Sequence, residues 1–323
     1  MVPHDVLVRF RRDLDALVPR GTRIGIAVSG GPDSLALLLL AAAARPGEIE
    51  AATVDHDLRA GSREEAQAVA DVCERLGVPH AILTIKWDAK PATAIQERAR
   101  SARYVALADW MRDRALTALL TGHHLDDQAE TFFMRLNRGS GVTGLAGMHP
   151  AARVPGASSL VLARPLLSWR RRELVALCEQ AGQKAVDDPS NADTDFERVR
   201  VRQALADCDL LDAESIAHSA SNLTLADDAL NWATLREWTE AVEEREGNVT
   251  YSPIDAPAEI RRRIVTRVIA LLGSEGDARL RGRELERLLA SLQAGDTATL
   301  RGVRCEGGSV WRFAAAKPRK LAK

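Results

Sequence analysis

Between residues 23 and 120, short runs of apolar and β-branched residues alternate with longer stretches whose apolar positions recur at helical spacing. The runs at 24–28, 49–54, 81–85 and 116–120 fit strands, and 33–44, 62–76, 93–114 and 125–137 fit helices. Right-handed crossovers turn such a series into an α/β fold, a mainly parallel doubly wound sheet with helices on both faces. Ligands then bind at the carboxyl ends of the strands. Residues 1–20 intersperse Arg9, Arg11, Arg12, Asp13 and Asp15 with apolar positions and read as an amphipathic helix rather than a secretory signal.

Downstream the pattern changes. Gly139, Gly141, Gly144 and Gly147 are too dense for a regular element and suit a loop that wraps a ligand. A helix at 169–181 precedes Asp187-Asp188-Pro189-Ser190-Asn191, a turn and cap signal, and helix resumes near Asp195. Residues 206–259 read as helical with a break at 247–257, and further helices are expected at 258–272 and 280–293. A terminal hairpin is expected from 297–305 and 309–313 around Glu306-Gly307-Gly308. The expected organisation is a catalytic, nucleotide-binding domain at 1–208 and a second, mostly helical domain at 209–323, with the boundary near 206–212.

The strongest chemical signal is Ser29-Gly30-Gly31-Pro32-Asp33-Ser34, set between the first strand and the first long helix. Glycines lacking Cβ let backbone N–H groups approach phosphate oxygens, and the helix start that follows is an anion site. Ser29 and Ser34 add hydroxyls, and Pro32 suits the first helical turn. Asp33 would repel a triphosphate unless a divalent cation lay between them, which implies Mg²⁺ at Asp33. The spacing and lysine of the Walker pattern are absent. A second cluster, Thr121-Gly122-His123-His124-Leu125-Asp126-Asp127-Gln128-Ala129-Glu130-Thr131, follows the fourth strand. If it is helical throughout, His123, Asp127 and Glu130 share one face. His124 and Asp126 are further candidates there. Zinc is an option with no fourth ligand in view.

The hexapeptide resembles the PP-loop of the ATP pyrophosphatases, which cleave ATP between its α and β phosphates. Together with Arg138-Gly139-Ser140-Gly141-Val142-Thr143-Gly144-Leu145-Ala146-Gly147-Met148, these motifs resemble the tRNA(Ile)-lysidine synthetases over roughly residues 23–205. The likeness extends through Val54-Asp55-His56-Asp57-Leu58-Arg59, Ala99-Arg100-Ser101-Ala102-Arg103-Tyr104, Arg164-Pro165-Leu166-Leu167 and Asp188-Pro189-Ser190-Asn191. The chain departs from the family at Asp57, where glycine is usual, and at Val199, where Arg-Asn is usual in place of Arg198-Val199. The resemblance implies ATP as substrate with Mg²⁺, adenylation of C2 of a wobble cytidine in an isoleucine tRNA with a CAU anticodon, and displacement of AMP by free L-lysine. Because the lysine side chain has a pKa near about 10.4, it must lose a proton before attack, and Asp127 and Glu130 are the expected holders of its ammonium group. His123 or His124 would orient the cytosine or a phosphate. Arg100, Arg103, Arg138, Gly139, Gly141, Arg198 and Arg202 are candidate substrate contacts.

Composition refines the picture. With 46% hydrophobic and 28% charged residues the 323-residue chain is globular, and its longest apolar run is too short to cross a bilayer. Cys73, Cys178, Cys208 and Cys305 form no C-x-x-C pair, which disfavours a disulfide framework, a zinc site and the paired cysteines of sulfur-transferring relatives. A cytoplasmic location is expected. The net charge of −1 conceals a split: residues 206–259 carry two basic and thirteen acidic side chains, whereas 260–323 carry fifteen basic and six acidic. The basic segment, with Arg261-Arg262-Arg263, Arg267, Arg279, Arg281, Arg283, Arg287 and Lys317 to Lys323, is the expected tRNA-backbone surface. Another PP-loop enzyme acting on a tRNA base, an amide-forming relative, and a nucleotide-binding sensor without turnover stand as rival readings.

Overall fold

A computed structural model describes residues 2–57, 61–87, 95–183, 193–253, 255–273 and 282–316. The start of the helix expected at 93–114, together with Leu58-Arg59, Asp187 to Asn191, Arg279, Arg281 and Lys317 to Lys323, lies outside the described residues. The elements run α1 (His4–Asp15), β1 (Ile24–Ala27), α2 (Pro32–Ala44), β2 (Ile49–Asp55), α3 (Ser62–Arg75), β3 (His80–Thr84), α4 (Ile95–Asp113), β4 (Ala118–Leu120) and α5 (Leu125–Leu136). There follow α6 (Val142–Leu145), β5 (Ala151–Val154), β6 (Ala157–Ala163), α7 (Arg171–Gln180), α8 (Glu197–Ala206) and α9 (Ala213–Ala241). The chain ends with β7 (Val242–Arg245), β8 (Asn248–Tyr251), α10 (Ala258–Leu272), α11 (Gly282–Ala294), β9 (Thr297–Leu300), β10 (Val303–Glu306) and β11 (Trp311–Ala315). Two compact units, Met1–Thr224 and Leu225–Lys323, divide within α9, beyond the boundary expected near 206–212.

In the first unit the strand order is β3-β2-β1-β4-β6-β5. All neighbours pair in parallel except the edge strand β5, which is antiparallel to β6. The chain steps outward from β1 through β2 to β3 and then returns to β4 on the other side of β1. That reversal opens a crevice at the carboxyl ends of β1 and β4. Both faces of β1 are covered, so its strand is apolar throughout apart from Gly25. A Cβ on Gly25 would come within 2.8 Å of the Trp110 ring. Helix α2 lies deepest: Leu35 to Ala41 are all buried, against Phe10 and Leu14 of α1 and Leu174 and Leu177 of α7. At about 1.5–3 kcal/mol for each large side chain removed from water, this run anchors the helix whose first turn carries Pro32 and Asp33. Among the described residues no helix is long and apolar enough to cross a membrane.

The second unit holds more sheet than the pattern predicts. Its five strands are ordered β7-β8-β11-β10-β9, every pair antiparallel. The expected break at 247–257 is in part a hairpin: Glu246 and Gly247 adopt positive φ between β7 and β8. The expected terminal hairpin is a three-stranded meander, with Arg301 and Gly302 both at positive φ between β9 and β10. Val249, Tyr251, Val303, Cys305, Trp311 and Phe313 bury their side chains against α10 and α11.

The acidic and basic segments meet within this unit. Arg263 donates to Asp227 at 2.6 Å, to Glu259 at 2.9 Å and to Asn231 at 2.5 Å, and its side chain is only 9% exposed. Arg262 is held bidentately by Glu259 at 2.6 and 2.7 Å, and Arg267 stacks on Trp238 at 4.1 Å. In the Arg261-Arg262-Arg263 run, Arg262 and Arg263 are thus spent on internal pairing, and Arg261 has its Nε buried without a hydrogen-bond partner. Removing one partner of a buried pair leaves the other charge uncompensated. Arg263→Ala is therefore expected to destabilise this unit by about 3 kcal/mol, read as a lower denaturation midpoint for the Trp238 and Trp311 fluorescence transition.

Candidate active site at the carboxyl ends of β1 and β4

The Ser29–Ser34 turn is braced from within. Gly30 takes φ +88°, a left-handed conformation that costs glycine little. Gly31 caps α2, and Pro32 occupies its first turn. The Ser34 hydroxyl accepts the Ser29 N–H at 3.1 Å and donates to the Gly31 carbonyl at 3.0 Å, while the Ser29 and Ser34 hydroxyls lie 3.2 Å apart. Ser34 is buried, so its hydroxyl shapes the loop, whereas Ser29 is exposed. From α7 the Cys178 thiol donates to the Pro32 carbonyl at 3.3 Å.

The chain leaving β4 presses against this turn. A Cβ on Gly122 would fall 2.9 Å from the Asp33 carbonyl oxygen and 3.1 Å from the Ser34 Cα, both backbone atoms. Only glycine fits, and this role went unassigned in the sequence.

Helix α5 starts at Leu125, as the pattern predicts, so the helical continuation back to His123 that a shared face requires is not present. His124 is its cap residue, extended at φ −127°, so His123 lies outside the helix and does not share a face with Asp127 and Glu130. The Asp127 N–H donates to His124 Nδ1 at 3.3 Å while the His124 N–H donates to the Asp127 carboxylate at 3.1 Å, a reciprocal cap. The other ring nitrogen, His124 Nε2, lies 3.5 Å from Asp33 and 3.6 Å from Asp127. Burial works against protonation of this imidazole, but the hydrogen bond to Asp33 and the charges of Asp127, Asp33 and Asp126 outweigh it and raise its pKa. His123 behaves oppositely. Its Nδ1 shares a 2.9 Å hydrogen bond with Thr121 Oγ1. Burial, reinforced by Arg164, Arg103, Arg198 and Arg100, holds its pKa well below the ordinary value, so the ring is neutral at pH 7.

The carboxylates of α5 are answered from α8. Glu130 is 3% exposed and accepts from Arg198 Nε at 2.7 Å and Arg202 Nε at 2.6 Å. Asp127 Oδ1 takes a second arm of Arg198 at 3.2 Å. Val199 is buried between these arginines in sequence, on a different face of α8. Asp126 accepts the Arg171 N–H at 2.7 Å. A cleft of about 520 Å³ opens here, lined by Asp126, Glu130, Arg170, Arg171, Arg202 and Asp212 among others. Arg170 and Arg171 were missed because nothing in their spacing separates them from surface arginines.

The glycine-rich segment is stitched to α5. Gln128 accepts the Met148 N–H at 2.8 Å and donates to the Met148 carbonyl at 3.0 Å. Arg135 donates to the carbonyls of Gly144 at 2.6 Å and Gly147 at 3.2 Å. Gly139 turns at φ +64°, Gly141 caps α6, and exposed Arg138 pairs with Glu197. Asp57 stands at φ +48°, in the left-handed region, and its N–H donates to Asp55 at 2.9 Å. Glycine is the low-cost residue for that conformation, and aspartate is among the few others that adopt it. Arg100 and Arg103 flank the Tyr104 ring at 5.2 and 5.3 Å.

Comparison with known proteins gives this arrangement a family. A model of the PP-loop domain matches residues 6–208. A tRNA(Ile)-lysidine synthase of Novosphingobium aromaticivorans is 50% identical over 95% of this chain and 93% of its own length. The chain belongs to the tRNA(Ile)-lysidine synthase family. Another synthase of this family, from Zymomonas mobilis, is 42% identical over 94% of the chain and 92% of its own length. Among solved structures, a U34-tRNA thiolase of Methanococcus maripaludis with a [4Fe-4S] cluster superposes with a TM-score of 0.55 over 68% of this chain and 79% of its own. At 18% identity that likeness speaks for the fold alone. Cys73, Cys178 and Cys305 are buried singly, and the described residues contain no cluster of His, Cys, Asp or Glu suited to a metal.

In this member of the lysidine synthase family, Gly122→Ala is expected to push the first turn of α2 out of place. ATP affinity should fall at least about ten-fold, with a stability loss of about 1–3 kcal/mol from overpacking, measured by calorimetric ATP titration alongside thermal melting.

Proposed function

We propose that the protein is an AMP-forming ligase that joins L-lysine to the wobble cytidine of an isoleucine tRNA with a CAU anticodon, in the cytoplasm. The observation carrying this reading is the convergence of the Ser29–Ser34 turn and the α5 carboxylates, joined through His124 and Asp33. The cytidine C2 oxygen attacks the α phosphorus of ATP and pyrophosphate leaves. The lysine ε-amine then attacks C2, and AMP departs with the C2 oxygen. The loop N–H groups and the α2 dipole face the charge that grows on pyrophosphate.

Asp33 suits a Mg²⁺ ion. Its Oδ1 is buried without a hydrogen-bond partner and lies 3.8 Å from Arg171 Nε, while Oδ2 lies 3.5 Å from His124 Nε2. When bound there, the ion would neutralise phosphate charge.

Glu130, with an arginine on each oxygen, keeps Arg198 and Arg202 in place. Asp127 meets one arginine, Arg198, and the His124 cap, and with a single guanidinium to displace it suits the ammonium group and its proton better. The neutral ring of His123 suits hydrogen bonding to a base rather than to a phosphate. The second unit would hold the tRNA backbone. With Arg262 and Arg263 internally paired, we assign phosphate contact to Arg283 and Arg287, both exposed on α11.

Incubation with ATP, lysine and the tRNA transcript should yield AMP, pyrophosphate and a wobble nucleoside heavier by lysine less water. Recovery of ADP, or an unmodified nucleoside, would refute the assignment. Asp127→Asn should reduce lysine transfer at least about a hundred-fold with ATP binding retained; undiminished lysidine would remove Asp127 from its role.

Each of Arg283→Ala and Arg287→Ala should lower the steepness of the salt dependence of tRNA binding by roughly one ion. An unaltered slope in filter binding across a salt series would place the phosphate contacts elsewhere.

A further inference from the structure

Three polar atoms near the carboxyl ends of the sheet are buried with no hydrogen bond of ordinary geometry: the Tyr104 hydroxyl, which lies beside the Arg103 guanidinium, Arg164 Nε and His56 Nδ1. A buried donor left unsatisfied costs about as much as a lost hydrogen bond, so such atoms mark the place of something that binds. Tyr104 and Arg164 share one corner, while His56 lies at the end of β2, three strands from β6. Arg164 directly follows β6 and Thr121 directly follows β4, at strand ends that pair Leu120 with Ala163. Tyr104 projects from α4, which packs across β2 and β6, and His56 directly follows β2. Arg164 is anchored at one end, Nη1 donating to the His149 carbonyl at 2.6 Å, which holds its Nε edge in place.

The charge at this corner is unbalanced. Arg100 and Arg103 flank the Tyr104 ring, and among the described residues none forms an ion pair with Arg100, Arg103 or Arg164. Burial draws down the pKa of Arg103 and of Arg164, with Arg100 adding repulsion to each. By contrast Arg170, Arg171, Arg198 and Arg202 each lie within ion-pair distance of a carboxylate. Here three guanidinium groups and a phenol gather around a neutral imidazole.

We infer that Tyr104, Arg103 and Arg164 form an oxyanion receptor for a substrate other than ATP, either the α-carboxylate of lysine or a phosphodiester beside the target cytidine. The inference rests on the proposed reaction, in which those are the anionic groups left once the Ser29–Ser34 turn has taken the triphosphate. Tyr104 donates its hydroxyl and Arg164 its Nε–H, while Arg103 supplies charge. Both Arg164 and Tyr104 stand in motifs that carry the family resemblance, with no role of their own assigned there, and the Tyr104 ring is buried.

Tyr104→Phe removes one hydroxyl from a packed ring, and Arg164→Lys keeps the charge while removing the Nε–H; thermal melting serves as the folding control. KM is measured separately for ATP, lysine and tRNA, and kcat/KM is compared for lysine and for 1,5-diaminopentane, which carries the same amine without a carboxylate. Both variants should raise one KM, that of lysine or that of tRNA, by about ten-fold while KM for ATP stays unchanged.

A raised KM for lysine, with the preference over the diamine reduced, identifies the carboxylate. A raised KM for tRNA with lysine unaffected identifies the phosphodiester. The inference is overturned if no KM moves, if KM for ATP moves with the others, or if lysine and the diamine lose equally with KM for tRNA unchanged. Absence of lysidine from the wild-type enzyme would instead refute the proposed reaction, which separates the two failures.

Discussion

The backbone leaving β4 touches the backbone of the first turn of α2, and the rest of the site is laid out from that contact. Gly122 permits it, since any side chain there would strike the Asp33 carbonyl. Because β4 lies beside β1 at the point where the strand order reverses, one close approach brings two helix starts together. One start offers N–H groups to phosphate, and the other offers carboxylates through its cap. His124 bridges them, its cap bond fixing the ring while the other nitrogen faces Asp33.

Two adjacent histidines consequently sit in opposite fields. His124 looks toward Asp33, Asp126 and Asp127 and holds a proton more readily than usual, whereas His123 looks toward arginines and gives one up. A single residue of backbone separates an acidic compartment from a basic one. ATP adenylation and amine attack place contrary demands on local charge, and this division suits both without a large rearrangement.

Much of the first unit could be read from the chain alone. The parallel strands are continuous apolar runs because both faces are covered, and the Ser29–Ser34 turn stands out because glycine and proline fall where strand meets helix. The start of α5 was legible, but His123 was grouped with Asp127 and Glu130 as if the helix reached it, since two consecutive histidines give no local reason to prefer one as the cap. The strand Val242–Arg245 carries two glutamates and an arginine on an exposed edge, which hides its pairing from any alternation test. Arg263 looked like a phosphate contact because its partners Asp227 and Asn231 lie some thirty residues away. Gln128 was invisible for the same reason: the groups it holds, in Met148, are backbone atoms of a distant loop. Spacing reports faces of one element, while these bonds join different ones.

Arg198 occupies Asp127 at 3.2 Å and Glu130 at 2.7 Å before any amine arrives. In the proposed role of Asp127, a cation reaching it would enter by exchange with Arg198, and its affinity would be the difference between two pairings. The guanidinium set free would swing out with α8 still tethered to Glu130 through Arg202, so arrival of the amino acid would register as a local loosening on that helix.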